Sequence, residues 1–309
     1  MRIHARGGRY MRKAFANAVI ARGHESDLFF LTGDLGFMAL EGVRETLGDR
    51  FINCGVAEQN MVSVAAGLAQ EGFRVFVYSI APFCYARPFE QIRNDLCFGG
   101  HHVCLVGNGG GYAYGHMGPT HHALEDCAAM SALGLHVLAP TFEDDIAPML
   151  LRFSGPTYLR LGHDARPKGA KAPPYSPWRQ LLAGGGGVLA ALGPLASLAW
   201  RVIEPLSEAT RPSVWAVTEL PLSSIPESVG TAIHSGLPLV VLEEHVSQGG
   251  LGMQLLYNLT IKGINVQHFQ HSYALGYPSG RYGSQAFHQG ECGLDEVGIT
   301  SILTSLQMI

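Results

Sequence analysis

The sequence predicts an α/β protein made of two doubly wound, mainly parallel-sheet units. Three observations carry this. Short runs rich in Val, Ile, Leu and Phe alternate with helix-length segments from about residue 11 to residue 161, the pattern of βαβ units with helices on both faces of a sheet. The stretch 163–187 then breaks the alternation with four prolines, two lysines and a run of four glycines, which reads as a linker. The alternation restarts at Val188. The expected division is a first domain over 1–165, a linker over 166–187 and a smaller domain over 188–309.

In order, the basic start (Arg2, Arg6, Arg9, Arg12, Lys13) leads into a helix over 14–20. It lacks the serine richness of a transit peptide. A strand over 28–32 ends at Gly33-Asp34, and a helix follows near 40–47. A strand from Phe51 passes through Gly55 into a helix beginning near Val56, where Met61, Val64, Ala65 and Leu68 recur at helical spacing. Strands are expected over 74–79, 103–106, 136–139 and 157–161, and helices over 88–96, 123–133 and 143–152. Residues 107–118 read as a loop. In the second half, strands are expected over 188–192, 214–217 and 238–242, and helices near 196–209 and 251–259. The tail from Ser272, rich in Tyr, Gly and His, has no clear assignment.

Composition excludes several classes. Of 309 residues, 47% are hydrophobic and 15% charged, enough apolar material for buried sheets and too little charge for disorder. A net charge of −4 leaves no nucleic-acid footprint. No apolar run approaches the ~18 residues of a membrane span. Six scattered cysteines form no Cys-x-x-Cys pair, so disulfides and zinc are not expected and a reducing cytoplasm fits.

Four segments bear chemistry. The first is Phe51-Ile-Asn-Cys-Gly-Val-Ala-Glu-Gln-Asn60, with Glu58 in the first turn of its helix. A carboxylate there is ordinary by itself, because the helix dipole favours it. The context is not ordinary. Gly-Val-Ala-Glu-Gln-Asn-Met followed by Ala-Ala-Gly-Leu-Ala resembles the cofactor-activating segment of the transketolase-like thiamine diphosphate enzymes. The resemblance implies that Glu58 hydrogen-bonds a ring nitrogen of the aminopyrimidine and so promotes loss of the thiazolium proton. The first unit would then be a pyrimidine-binding domain and the second a transketolase C-terminal-like domain.

The second segment is Tyr78-Ser-Ile-Ala-Pro-Phe-Cys-Tyr-Ala-Arg-Pro-Phe-Glu-Gln-Ile-Arg-Asn-Asp95. It follows a strand, where ligands gather in open α/β sheets. The family places an aromatic ring here against the pyrimidine. Phe83 is the first candidate and Tyr85 the second; a flat apolar ring suits a flat heterocycle, though most Phe residues are simply core. Asp34 resembles an acidic residue near the cofactor.

The third segment, Gly115-His-Met-Gly-Pro-Thr-His-His-Ala-Leu-Glu-Asp126, resembles the Glu-Asp-Gly-Pro-Thr-His-Gln loop of ordinary transketolases, whose Asp and His contact the donor sugar. His121 matches that His and is suited to share a proton with a substrate hydroxyl. Met117 stands at the Asp position and His116 at the preceding Glu. Three sugar-phosphate anchors, a Ser, a His and an Arg, fall on Met38, Gly109 and His163. Met and Gly side chains offer neither donors nor charge to a phosphate. Gly109, Gly110 and Gly111 could present backbone amides to an anion, or could be a flexible loop.

The fourth segment, Val240-Val-Leu-Glu-Glu-His-Val-Ser-Gln-Gly-Gly-Leu-Gly252, resembles the strand-turn-helix of the family's C-terminal domain and reads as structural, its glycines permitting close backbone approach. The family's Gly-Asp-Gly…Asn signature for the Mg²⁺ that anchors the diphosphate has no counterpart, since Gly33-Asp34 continues as Leu35-Gly36. The resemblance therefore implies a split enzyme. A separate diphosphate-binding subunit would supply the Mg²⁺ ligands, in a heterotetramer with two of each chain. The expected reaction transfers a two-carbon ketol or related acyl unit from a ketose-like donor to an aldehyde, with a specialised, even unphosphorylated, sugar. The alternatives are the beta subunit of a 2-oxo acid dehydrogenase, which the Gly-Pro-Thr-His loop argues against, and a non-catalytic scaffold, which would not need Glu58.

Overall fold

The computed structural model describes residues 9–36 and 38–308. Arg2 and Arg6 of the basic start lie outside them. In the first half the elements run β1 (Arg9–Tyr10), α1 (Met11–Ala21), β2 (Leu28–Thr32), α2 (Glu41–Leu47), β3 (Phe51–Asn53), α3 (Glu58–Gln70), β4 (Arg74–Ile80), α4 (Ala81–Tyr85) and α5 (Phe89–Gln91). Then come β5 (Val103–Asn108), α6 (Asp126–Ala132), β6 (His136–Leu138), α7 (Ile146–Arg152), β7 (Thr157–Leu161) and β8 (His163–Asp164). The second half holds β9 (Trp178–Leu182), β10 (Val188–Leu192), α8 (Pro194–Ile203), β11 (Ser213–Val217), β12 (Glu219–Leu220) and α9 (Glu227–His234). It ends with β13 (Leu239–Leu242), α10 (Leu251–Ile261), β14 (Phe269–Ser272), α11 (Gln285–Glu291) and α12 (Glu296–Ser305).

The first sheet has the order β12-β6-β7-β5-β4-β2-β3 and the second β14-β13-β10-β11-β9. Every pairing in them is parallel except β12 on β6 and β9 on β11. The central strands are continuous apolar runs because helices cover both faces. In β4, side chains alternate across the sheet. Phe76 and Tyr78 join Phe15 and Phe30 on the face covered by α1, α2 and α7. Val75 and Val77 join Met61 and Ala65 of α3 on the other. That second cluster continues without a break into Ala190, Val241 and Leu255 of the second domain.

Several expectations are corrected. α3 starts at Glu58, two residues later than its apolar spacing suggests. The helix expected over 88–96 is α5 running into a π-helical turn, Ile92–Cys97, and a separate short helix, α4, precedes it. The helix expected from 123 begins at Asp126, because Ala123 is engaged in a backbone bridge with Gly111. The stretch 166–187 is not all linker: β9 lies within it and pairs antiparallel with β11. β9 is an edge strand with a polar middle, and edges tolerate such composition, so no apolar run marks it. The tail resolves into β14's end, α11 and α12. Glu243 accepts from Leu251 N (2.7 Å) and Gly252 N (3.0 Å), so the fourth segment does structural work at the start of α10. Among the described residues, no helix is long and apolar enough to cross a membrane.

Candidate active site

The carboxyl ends of β2, β3, β4 and β5 lie side by side, and the turns that leave them build the site. Leaving β3, the chain turns at Gly55 with φ +70°, a backbone state that suits glycine. Asn53 ties this turn to the one after β2. Its Oδ1 accepts from Asp34 N and Gly55 N, both at 3.0 Å, and its Nδ2 donates to Asp34 Oδ1 at 2.9 Å. α3 then opens with Glu58, which is only 4% exposed. Gly33 stands beside it; a Cβ there would lie 3.8 Å from Glu58 Oε1. The absent side chain leaves the carboxylate approachable.

α4 supplies the opposite wall. Arg87 Nη1 donates to Glu58 Oε1 at 2.8 Å, and its guanidinium carbon lies 3.7 Å from the Phe83 ring centroid, a cation–π contact. Phe83 meets the His121 ring edge-on at 5.1 Å. His121 also neighbours Tyr114, at 5.9 Å between rings, and its Nδ1 is 2.9 Å from Thr120 Oγ1. Asn108 Nδ2 donates to Tyr114 Oη at 2.7 Å. Behind this wall Cys84 is buried beside Glu58; burial first, and then the carboxylate's charge, push its thiol up to about 12.

One chain of contacts thus joins Glu58, Arg87, Phe83 and His121. Tyr85 is not part of it. It is buried in the core against Tyr158, at 6.5 Å between rings, and burial raises its hydroxyl's pKa. Asp34 is held by Asn53 and lines an adjoining cleft with Glu41 and Arg44. His116 and Met117 are exposed on the same loop as His121. Met38 is 82% exposed at φ +61°. His163 lines a cavity between the two domains with Arg160, Gln285 and Gln289, and burial lowers its pKa.

The glycine run does not serve as an anion cradle. Gly109 N and Gly110 N donate to Leu161 O (3.1 and 3.0 Å), and Gly111 N donates to Ala123 O (2.8 Å). Gly109 has a packing reason as well: a Cβ there would meet the Tyr114 ring at 2.4 Å. Sequence reasoning missed Arg87, Tyr114, Asn108 and Arg12. Arg12 reaches the Tyr78 hydroxyl and acts electrostatically on Tyr114, and it shares a surface groove with Met38. No local spacing connects residue 12 to residues 78 and 114. The buried trio Asp126, Cys127 and His245 has ligand-type atoms within 4.8 Å of one another. His245 Nε2 accepts from Ala128 N, and Asp126 Oδ2 accepts from Tyr158 and Arg160. These atoms serve internal hydrogen bonds.

Comparison with known proteins agrees with this geometry. The transketolase pyrimidine-binding domain matches residues 8–166. One of the two chains of an apulose-4-phosphate transketolase, from Phocaeicola vulgatus, is 34% identical over 162 residues, covering 50% of this chain and 52% of the relative. A putative transketolase C-terminal section of Methanocaldococcus jannaschii is 34% identical over 157 residues, 49% of this chain and 50% of the relative. The aligned regions thus span about half of each of these relatives. A 1-deoxy-D-xylulose-5-phosphate synthase of Geobacter sulfurreducens is 32% identical over 83% of this chain and 42% of its own length. Among solved structures, a split-gene transketolase described as an inactive beta4 tetramer superposes with TM-score 0.79 at 24% identity, covering 97% of this chain and 99% of that one. Leishmania mexicana transketolase gives 0.77 at 20% identity, covering 97% of this chain and 46% of that one. A buried glutamate opening α3, the aromatic wall from α4 and the matched domain lead to one conclusion: the chain belongs to the transketolase family and carries its pyrimidine-binding domain.

Proposed function

We propose that this chain is the pyrimidine-binding subunit of a split, thiamine diphosphate-dependent transketolase-like transferase. It moves a two-carbon ketol unit, or a related acyl unit, from a ketose-like donor to an aldehyde. The observation that carries this is Glu58, a buried carboxylate at the start of α3, with Gly33 leaving it open and the Phe83 ring across from it. A carboxylate acceptor and a flat apolar ring fit the donor nitrogen and the face of an aminopyrimidine. When bound, the cofactor supplies a carbon nucleophile for carbonyl chemistry. Glu58 holds the aminopyrimidine nitrogen and its proton, Phe83 orients the ring, and His121 exchanges a proton with a substrate hydroxyl. The Mg²⁺ ligands and the diphosphate contacts belong to a separate subunit, two of each chain forming the active assembly. The relatives named as a transketolase subunit and as a transketolase C-terminal section support that division.

The donor is a specialised ketose. Met38, Gly109 and Met117 offer it no charge, and Arg12 is the cation this chain presents on that edge. Calorimetry on the isolated chain is expected to show weak binding of thiamine diphosphate with Mg²⁺. The complex reconstituted with a Gly-Asp-Gly-containing chain is expected to bind it and turn over a ketose. Micromolar binding without the partner would sink the split-enzyme reading. A preference of about 100-fold or more in kcat/KM for xylulose 5-phosphate over xylulose, on the order of 2.7 kcal/mol, would overturn the reading of the missing anchors.

A further inference from the structure

The loop that carries His121 is held from the second domain. It leaves β5 at Asn108 and closes on itself where Gly111 and Ala123 exchange backbone hydrogen bonds of 2.8 and 3.0 Å. At this neck stands Glu244, two residues past the end of β13 and only 6% exposed. Its Oε1 accepts from Tyr112 N at 2.6 Å and from Gln285 Nε2 at 2.9 Å; its Oε2 accepts from Gln289 Nε2 at 2.5 Å. Gly111 has φ +64°, and a Cβ there would stand 2.3 Å from Oε1, so loop backbone and carboxylate meet with no room for a side chain. Arg160 braces the same neck, its Nη2 donating to Ala123 O at 3.0 Å and to Glu244 O at 2.8 Å. A second tie lies beside His121 itself. His122 Nε2 is 2.9 Å from Gly115 O, a carbonyl that only accepts. That places the ring proton on Nε2 and leaves Nδ1 to accept from Tyr277 Oη at 2.7 Å.

We propose that Glu244 and Tyr277 are positioning residues, which fix from the second domain the loop that sets His121 against Phe83. The inference rests on the functional reading of His121 given above. A buried carboxylate is costly unless donors converge on it. Here one of those donors is the loop's own backbone and two are side chains of α11. Catalytic geometry is sensitive at this scale, since a displacement of about 1 Å costs about 10²-fold. The second domain thereby acts on a reaction whose groups all lie on the first.

Hydrogen exchange by mass spectrometry on the isolated full chain tests the holding directly. In Glu244→Ala and in the milder Tyr277→Phe, peptides across 111–123 are expected to exchange at least about 10-fold faster, with α3 and β4 peptides unchanged. Glu244→Gln is expected to restore slow exchange, because it keeps an acceptor for Tyr112 N and the Gln289 amide can turn to present its oxygen. In the reconstituted complex, Glu244→Ala and Tyr277→Phe are expected to lower kcat for the donor about 10-fold or more. Thiazolium proton exchange, which depends on Glu58, is expected to stay at the parent rate. Parent-like loop exchange in both variants overturns the proposal, and so does faster exchange with parent kcat. A parent complex that turns over no ketose would sink the functional reading instead, and the exchange data would then decide whether the two residues hold the loop.

Discussion

Glu58 and Arg87 face each other across the mouth of the site at 2.8 Å, with the guanidinium lying on Phe83. A planar cation that both donates and stacks meets in one group what the two walls have to offer, so the pair keeps the buried carboxylate satisfied. Replacing Glu58 by Gln keeps its size and removes its charge. In the assembled complex we expect thiazolium proton exchange, followed by NMR, to slow by about 10²–10⁴-fold, with the far-UV circular dichroism of the chain unchanged. Exchange at the parent rate would remove Glu58 from the chemistry. Glu58, Phe83 and His121 were legible because each sits in a continuous string of family-like residues. Tyr85 was misplaced for a geometric reason: on a helix, residues two apart point about 200° from each other, so α4 could turn only one of Phe83 and Tyr85 to the site. Arg12 was invisible because its partners are Tyr78 and Tyr114, brought to it only by the fold.

At the scale of elements, the parallel strands were read closely because buried strands announce themselves as apolar runs. What escaped were pieces defined by their neighbours. β9 is recognisable as a strand only once β11 lies beside it. The tail gains its order from contacts with the 111–122 loop. There His122 and His288 stack around Tyr277 and Tyr112, and burial holds both imidazoles below their ordinary value of 6.5. His288 and His121 add to the effect at His122, and His116 adds to it at His288. The sign follows from proton counts. The unfolded chain binds these protons more readily, so the stability they contribute is present above pH ~6.5 and is lost as pH falls. We expect the melting temperature to drop between pH ~7 and ~5.5, above the range where carboxylates titrate. His122→Asn should flatten part of that slope. A melting temperature constant over the window would show that these rings are not neutral for the reason given.

For the whole molecule, the two domains are less separable than the alternation of sequence patterns implies. One buried cluster runs from Leu31 and Val77 to Val241 and Leu255, and β12, which follows β11 of the second sheet, adds itself to the edge of the first by pairing with β6. A fragment ending at residue 165 would expose both that edge and half of the shared core. We expect such a fragment to bind a hydrophobic dye and to lack a cooperative melt, as judged by fluorescence and circular dichroism. A sharp melt near that of the full chain would show the first domain to be autonomous. The pairing of β12 with β6 also bears on how the protein is made. Its two strands are separated by some eighty residues of chain, Glu219 joining Leu138, so the first sheet cannot acquire its last strand until translation has passed Leu220. A nascent chain that has completed the sequence of its first domain must therefore carry an open sheet edge through the synthesis of the next stretch. That interval is when a growing polypeptide of this architecture is most exposed to chaperones and to mispairing with its neighbours on the same message.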